Sequence, residues 1–219
     1  GDTLGNIHAK AENRKANVYS GRITLTGRGN DVEINGDYDA VATRFDARLN
    51  LRALPMKTAE ILSNGAIRYT TGDVNGNFRI NGTPSSPKIL GDLNFNKTGI
   101  NIAMLNSFFY IDQEKLSFKE NGINFERFQV KDSSGNKLTI NGTMATTNYI
   151  NYNFDLHINA NDFKALNSTR KDNKLFWGQL YFTTNLNVKG TEAAPVVDGR
   201  LSINDKTKMT VTLPQSDPG

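Results

Sequence analysis

Residues 80–96 read INGTPSSPKILGDLNFN, and residues 188–204 read VKGTEAAPVVDGRLSIN. The two stretches align without insertions, so that Gly91 falls on Gly199 at an offset of 108 residues. In each, a polar, turn-forming centre separates two short segments in which apolar and polar residues alternate. The same hairpin therefore occurs twice, which predicts a repeated β-structure.

The repeat extends upstream of this hairpin at nearly the same offset. The further matching pairs are GNDVEING (29–36) with GNKLTING (135–142), FDARLNL (45–51) with FDLHINA (154–160), and residues 72–83 with residues 178–191, the last with a two-residue insertion. A unit of this length is long for a solenoid coil and suits a module of several hairpin strands that stacks on the next. We expect one elongated segment over 1–219 with two approximate repeats, about 21–96 and 124–204.

Alternation with a period of two runs through most of the chain. Successive side chains of a strand point to opposite faces, so each segment has one apolar and one polar face. The predicted apolar face consists of Ile23, Leu25, Val32, Ile34, Phe45, Leu49, Phe78, Ile80, Leu93, Phe95, Leu116, Phe118, Phe128, Val130, Leu138, Ile140, Phe154, Leu156, Ile158, Leu180, Phe182, Leu186, Val188, Leu201 and Ile203. Val211 and Leu213 end the pattern.

Short strands separated by turn-forming dipeptides predict an antiparallel all-β protein. Two-residue hairpin turns require positive φ, which Asn and Gly accept. Turns are therefore predicted at Asn35-Gly36, Asn81-Gly82, Asn121-Gly122, Ser134-Gly135 and Asn141-Gly142. One short helix is expected within residues 55–64.

That helix would have Pro55 at its first position and Gly65 just beyond its end. Ile61 and Leu62 would face the sheet.

Composition excludes several classes of function. The net charge is +4 with a pI near 9.2, and the Lys and Arg residues are scattered rather than arranged in the basic stripe of a nucleic-acid-binding protein. The chain has no cysteine, which excludes disulfides and thiol chemistry. The chain opens on GDTLGN and ends on PQSDPG, so we expect it to be part of a longer protein.

No catalytic residues, metal ligands or cofactor are predicted. His8 and His157 are the only histidines, and His157 falls between two apolar residues, on the polar face. DVEING (31–36) approaches a calcium-loop pattern, but Ala42 stands where a bidentate Glu belongs, so a hairpin turn is the better interpretation. We do not expect an enzyme.

The apolar face allows two architectures. In a two-sheet sandwich, the alternating residues of both sheets would bury one another. In a trough, one long sheet would fold over and leave its apolar inside partly open. A soluble protein rarely exposes such a face without a partner, and here the partner would be long and apolar.

Several motifs resemble the C-terminal region of the TamB family. They are the repeated GT-x-x-x-P-x-x-x-G-x-L-x-[IF] pattern, the segment FYIDQEKLSFKENGINFERFQVKDSSGNKLTINGT (109–143) and the segment NDFKALNSTRKDNKLFWGQLYFTTNLNVKGT (161–191). The resemblance covers about residues 20–213. The TamB family is the inner-membrane-anchored part of the translocation and assembly module of Gram-negative bacteria.

The resemblance implies a β-taco, a U-shaped sheet with an apolar groove, of the AsmA-like bridge type. It implies a segment of a periplasmic protein whose groove conducts phospholipid acyl chains between inner and outer membrane and supports outer-membrane biogenesis. The expected partners are phospholipid, neighbouring segments of the full-length chain and an outer-membrane barrel protein with POTRA domains. The alternative is a protein-interaction module whose open β-edges bind that barrel protein or its clients.

Overall fold

The computed structural model describes residues 4–212, which form a single antiparallel sheet of fourteen strands and one short helix. The elements are β1 (Asn6–Lys15), β2 (Val18–Gly27), β3 (Asn30–Asp39), β4 (Arg44–Pro55), α1 (Met56–Leu62), β5 (Ile67–Thr83), β6 (Ser86–Ile102), β7 (Ser107–Ile111), β8 (Lys115–Lys119), β9 (Gly122–Asp132), β10 (Lys137–Ala145), β11 (Asn153–Ser168), β12 (Phe176–Thr191), β13 (Ala194–Ile203) and β14 (Lys208–Val211). Leu213 lies outside the described residues.

The strands follow one another across the sheet almost in chain order. The path runs β1-β2-β3-β4-β5-β6-β7-β9-β10-β11-β12-β13. Beside the long strand β6, β7 pairs with one half and β8 with the other, and β14 pairs with β12 beyond the end of β13. The described residues form no second sheet, so the fold is not a sandwich.

The molecule is elongated. Its accessible surface is 13540 Å², whereas a compact protein of 24.2 kDa exposes about 10,000 Å². The all-β, taco-like architecture predicted from the sequence is confirmed.

The cross-strand register reproduces the sequence repeat. In β3, β4 and β5, Ile34 pairs with Leu49 and Leu49 pairs with Phe78. The corresponding strands β10, β11 and β12 carry the matching row Ile140, Ile158 and Leu186. Gly91 in β6 and Gly199 in β13 continue the two rows. The repeated sequence thus builds the same four-strand unit twice, although the exact bounds of the repeats stay a prediction.

Three of the five predicted turns are wrong. Asn121-Gly122 and Ser134-Gly135 lie at turns, but the Asn-Gly pairs at 35–36, 81–82 and 141–142 lie inside strands β3, β5 and β10. A Cβ atom on Gly142, whose φ is 117°, would lie 2.1 Å from the Asp155 carbonyl oxygen. Glycine is needed here because neighbouring strands approach closely on this face, and not because the chain reverses.

The interpretation of residues 31–36 as a hairpin turn is wrong for the same reason, since they lie within β3. Asp31 instead accepts two hydrogen bonds from the Arg52 guanidinium, at 2.8 and 2.6 Å. These bonds lower the pKa of Asp31. The carboxylate therefore serves a cross-strand ion pair.

The predicted helix is present but is oriented differently. Pro55 is the N-cap residue rather than the first helical residue, and Leu62 is exposed. The buried residue of α1 is Thr58, whose hydroxyl donates to Asn30 Oδ1 at 2.8 Å. Helix α1 is therefore held partly by a polar contact, which an apolar pattern does not reveal.

Candidate functional site

All predicted apolar-face residues lie on one face of the sheet. Directly paired residues share a face, so the pairing can be followed from strand to strand. One row runs Leu25, Val32, Leu51, Gly76, Leu93, Leu116, Phe125, Gly142, Leu156, Val188 and Val197. The remaining candidates belong to parallel rows further along the same strands, on the same side of the sheet.

Burial along this face is graded from the centre to the edges. Phe78 and Phe128, near the middle of the sheet, are 9% and 5% exposed. Ile23, Leu201 and Ile203, near the two edges, are 47%, 57% and 55% exposed. The other candidates are half-buried. Exposure of the apolar side chains therefore rises from the central strands to the edge strands. This gradient is typical of a curved sheet whose apolar face is most enclosed at its centre.

Pairs of phenylalanine rings contact one another at the centre of the apolar face and reduce the open space above it. Phe78 and Phe118 meet edge to face with centroids 5.5 Å apart, although Gly91 lies between them in the same cross-strand row. Phe95 and Phe128 make a second edge-to-face contact, also at 5.5 Å. Such pairs contribute about 1 kcal/mol beyond their burial and fix the shape of the surface.

One end of the apolar face is covered by the turn at residues 146–152. The Tyr149 hydroxyl donates to the Ile89 carbonyl oxygen at 3.2 Å, and its ring stacks on Phe118 at 6.5 Å. The Ser86 hydroxyl donates to the Thr147 carbonyl oxygen at 3.3 Å. Burial raises the pKa of Tyr149, because the charged phenolate would be poorly solvated there.

The opposite end is filled by a compact core. Phe109, Ala160 and Phe163 are buried together, and the rings of Phe109 and Phe163 stack at 5.8 Å. The Asn167 N–H donates to the Leu105 carbonyl oxygen at 3.0 Å, which joins β11 to the turn after β6. The sheet is thus drawn together at this end.

A polar network fastens the same end. Arg68 donates to Asn101 at 2.9 Å, to Asn106 at 3.0 Å and to Asp172 at 3.1 Å. The pKa of Asp172 is lowered, first by the Thr169 N–H, then by the Thr169 hydroxyl and then by Arg68. Because Arg68 follows α1 and Asp172 follows β11, the network links distant parts of the chain.

Sequence reasoning missed the residues that close the two ends. Phe163 follows Ala160 by three positions and so breaks the period of two. The structure has a bulge there, with Asp162 at φ 50°. The first repeat has the same irregularity between Leu51 and Leu54, so the repeat itself carried the signal. Tyr149 lies in a turn, where no periodicity could mark it.

The polar face carries isolated pairs rather than a reactive cluster. His157 lies on this face, with Nδ1 3.0 Å from Asn187 Oδ1. Within residues 4–212 no group of His, Asp and Glu side chains is placed to hold a metal ion. The organised feature of the molecule is therefore its apolar face.

These features define a class of protein: an all-β chain whose one elongated antiparallel sheet presents a continuous, partly open apolar face. Residues 126–218 match the family model of the TamB C-terminal domain. The match confirms the predicted resemblance to the TamB family and supports a role in envelope protein assembly. Comparison with curated proteins and with solved structures gave no match.

The TamB family is a non-enzymatic assembly and transport module of the Gram-negative envelope. In the part of the chain that the structure describes, no helix is long and apolar enough to cross a membrane.

Proposed function

We propose that the apolar face is a groove that holds phospholipid acyl chains on a path between the inner and outer membranes, in support of outer-membrane biogenesis. One observation carries this proposal. Every predicted apolar-face residue from Ile23 to Ile203 lies on one face of one sheet, and no second sheet covers that face within residues 4–212.

The physical requirement for such a groove is simple. Each CH₂ group moved from hydrocarbon into water costs about 0.8 kcal/mol, so a phospholipid with roughly thirty of them cannot cross water unaided. A half-buried aliphatic face offers the tails an environment close to that of the bilayer. Transfer along it needs neither a catalytic group nor a specific polar site.

The proposed path of the cargo follows the gradient of exposure along the apolar face. The centre is narrowed by Phe78 and Phe118, whereas the edge strands leave Ile23 and Leu201 largely exposed. Acyl chains would lie along the face, across the strands, and the headgroups would remain in water. A longer chain would continue the same face from the edge strands.

Native mass spectrometry of the purified chain, followed by solvent extraction, tests this proposal. Phe154→Asp places a carboxylate on the apolar face of β11, whereas Asn153→Asp places one on the opposite face of the same strand. We expect phospholipid to co-purify with the parent chain and with Asn153→Asp but not with Phe154→Asp. Circular dichroism verifies that both variants fold. Equal lipid in both variants, or none in any sample, would contradict the groove.

Strand addition is a second candidate function, because the edges of the sheet are open. Every residue of β1, β13 and β14 is exposed. An extended segment of a POTRA-bearing barrel protein, or of a client, would add to such an edge through backbone hydrogen bonds. A pull-down with soluble POTRA domains separates the two functions: Phe154→Asp should leave edge binding intact, and Val211→Pro should remove the binding that occurs at β14 without loss of lipid.

A further inference from the structure

The turn at residues 146–152 is longer than its counterpart in the first repeat. Before this turn the two repeats match at an offset of 106 residues (29–36 with 135–142), and after it they match at an offset of 109 (45–51 with 154–160). The three additional residues fall between β10 and β11, where the connection has seven residues, whereas the connection 40–43 between β3 and β4 has four. The second unit therefore carries an added element at this position.

The longer turn reaches a strand that is not its neighbour. In the sheet, β8 and β9 lie between β6 and β10, a separation of about 14 Å at ordinary strand spacing. The turn nevertheless contacts the hairpin of β5 and β6 through the hydrogen bonds of Thr147 with Ser86 and of Tyr149 with Ile89. The Tyr149 ring lies on Phe118 of β8. The turn therefore extends over the apolar face between β10 and β6.

The short turn at 40–43 makes only local hydrogen bonds among the described residues. Asp39 Oδ1 accepts from the Val41 and Ala42 N–H groups, both at 2.9 Å. The Ala40 N–H donates to the Asn17 carbonyl oxygen in the neighbouring turn at 2.8 Å. Val41, at the tip, is 77% exposed. Cover of the apolar face thus comes with the three added residues.

The longer turn is held together by its own hydrogen bonds. The buried Thr146 hydroxyl donates to the Asn151 carbonyl oxygen at 2.8 Å and accepts from the Tyr149 N–H at 2.9 Å. Asn148 Oδ1 accepts from the Asn151 N–H at 2.9 Å, and the Tyr152 hydroxyl donates to the Tyr149 carbonyl oxygen at 3.1 Å. None of these bonds involves the hairpin of β5 and β6, so the turn can move as one unit.

Its attachment to the hairpin of β5 and β6 is slight by comparison. The hydrogen bonds from Ser86 and Tyr149 are the two that join them in the described part of the chain. A cavity of about 110 Å³ remains under the turn, beside Pro87 and Ile89. Tyr149 has a φ of 57°, an unfavourable conformation for a tyrosine, which persists only while surrounding contacts compensate for it. The closed position therefore depends on few contacts.

The other end of the strands has no such freedom. There the buried rings of Phe109 and Phe163 stack on each other, and Arg68 joins three polar side chains. Separation at that end would expose a compact core, whereas separation at residues 146–152 breaks two hydrogen bonds and one ring contact. The two ends thus differ in how readily they open.

We propose that residues 146–152 form a flap that opens and closes one side of the groove to acyl chains. The inference rests on the proposed function, because it concerns access to the same groove. The ends of the flap are anchored, since the Thr146 N–H donates to the Asn121 carbonyl oxygen at 3.2 Å and the Tyr152 carbonyl oxygen accepts from the Glu192 N–H at 3.3 Å. Rotation about these ends lifts Tyr149 from Phe118, and the flap controls the rate of entry rather than the amount of lipid held.

A reversible cross-link across the flap tests the proposal. The Ser86→Cys/Thr147→Cys chain, which has no other cysteine, is joined by a short bis-methanethiosulfonate reagent that reductant removes. Uptake is followed from vesicles of phosphatidylcholine and phosphatidylglycerol that contain a self-quenched fluorescent phospholipid. We expect the cross-link to slow uptake at least about tenfold and reductant to restore it.

The equivalent turn of the first repeat supplies the matched control. Asp39 and Arg44 pair directly across the connection 40–43. Asp39→Cys/Arg44→Cys, joined by the same reagent, should take up lipid at the parent rate with and without reductant. Equal rates for the Ser86→Cys/Thr147→Cys chain with and without its cross-link would overturn the flap and leave the groove intact. If the parent chain takes up no lipid, the groove and the flap both fail.

Release of the flap should have the opposite effect. Tyr149→Phe/Ser86→Ala removes both hydrogen bonds to the hairpin and should speed uptake about fivefold, because the open position becomes more populated. The amount of lipid bound at equilibrium should not change. A rate equal to that of the parent would contradict the proposal.

A distance measurement follows the flap without lipid. Spin labels are attached at Ser85→Cys and Ile150→Cys, two exposed positions on either side of the contact. Electron paramagnetic resonance should give a short distance and a second, longer distance whose share rises when Tyr149→Phe/Ser86→Ala is added. The same distance distribution in both chains would overturn the flap whether or not lipid binds.

Discussion

Phe78 and Phe118 lie in one cross-strand row with Gly91 between them, and their rings meet edge to face above this glycine at 5.5 Å. The contact is possible because Gly91 has no side chain. A Cβ atom there would lie 2.1 Å from the Asn77 carbonyl oxygen and 2.9 Å from the Phe78 ring. Gly91 thus allows β5 and β6 to approach closely, and it allows the Phe78 and Phe118 rings to meet at the centre of the apolar face.

Replacement of this glycine should be costly. We expect Gly91→Ala to lower the free energy of unfolding by about 3 kcal/mol, through the clash and the unfavourable φ of 147°. Gly135→Ala is the matched control, since it also has positive φ but nothing within 4 Å of its Cβ position. It should cost about 1 kcal/mol. Urea denaturation measures both values, and equal losses would contradict a role for close approach.

The Tyr149 hydroxyl should contribute measurably to stability. Tyr149→Phe removes the hydrogen bond to the Ile89 carbonyl but retains the ring contact with Phe118, so we expect a loss of about 1 kcal/mol. Tyr110→Phe is the control, because that tyrosine is exposed and its hydroxyl has no hydrogen bond within residues 4–212. Thermal unfolding compares the variants, and an unchanged Tyr149→Phe would show that the hydroxyl does not hold the turn in place.

The free energy of unfolding should depend on pH through the carboxylate of Glu60. Hydrogen bonds from the Lys57 ammonium and then from the Thr70 N–H lower the pKa of Glu60 to about 2, from 4.5. A lowered folded-state pKa means that the contribution is complete above pH 4.5 and is lost as the pH falls toward 2.

Glu60→Gln removes this linkage. It should cost about 1 kcal/mol at pH 7, an amount reduced by solvent screening, and almost nothing near pH 2. Urea unfolding at both pH values measures the difference. A loss that does not change with pH would show that Glu60 stabilises α1 and β5 by packing instead.

The shape of the molecule in solution follows from the single sheet. A compact domain of this length has a radius of gyration near 17 Å, and the elongated sheet should give a clearly larger value, at least about 20 Å. Small-angle X-ray scattering, extrapolated to zero concentration, measures it. A value near 17 Å would mean that the apolar face closes on itself in solution.

Much of the fold could be predicted from the sequence because one physical pattern dominates it. The alternation of apolar and polar residues assigned Leu93, Phe154 and Leu201 to a common face, and the register places them there. The repeat located equivalent strands, since equal sequences adopt equal registers. Neither inference needed knowledge of long-range contacts.

The wrong turn predictions and the missed residues have a common cause. A local sequence pattern does not show how closely neighbouring strands pack or where a bulge shifts their pairing. Asn141-Gly142 has the composition of a tight turn, yet its glycine serves close contact with β11. Phe109 and Phe163 stack because a bulge shifts β11 by one residue, and a bulge interrupts the period on which the prediction relied. Tyr149 reaches Ile89 from sixty residues away in the chain.

Photo-cross-linking along β11 tests the central claim most directly. A benzophenone amino acid is placed in turn at positions 153 to 158, and each chain is irradiated with labelled phospholipid in vesicles. A groove predicts cross-links at 154, 156 and 158, on the apolar face, and none at 153, 155 and 157. Cross-links without this alternation, or an absence of cross-links at every position, would show that the apolar face does not hold lipid.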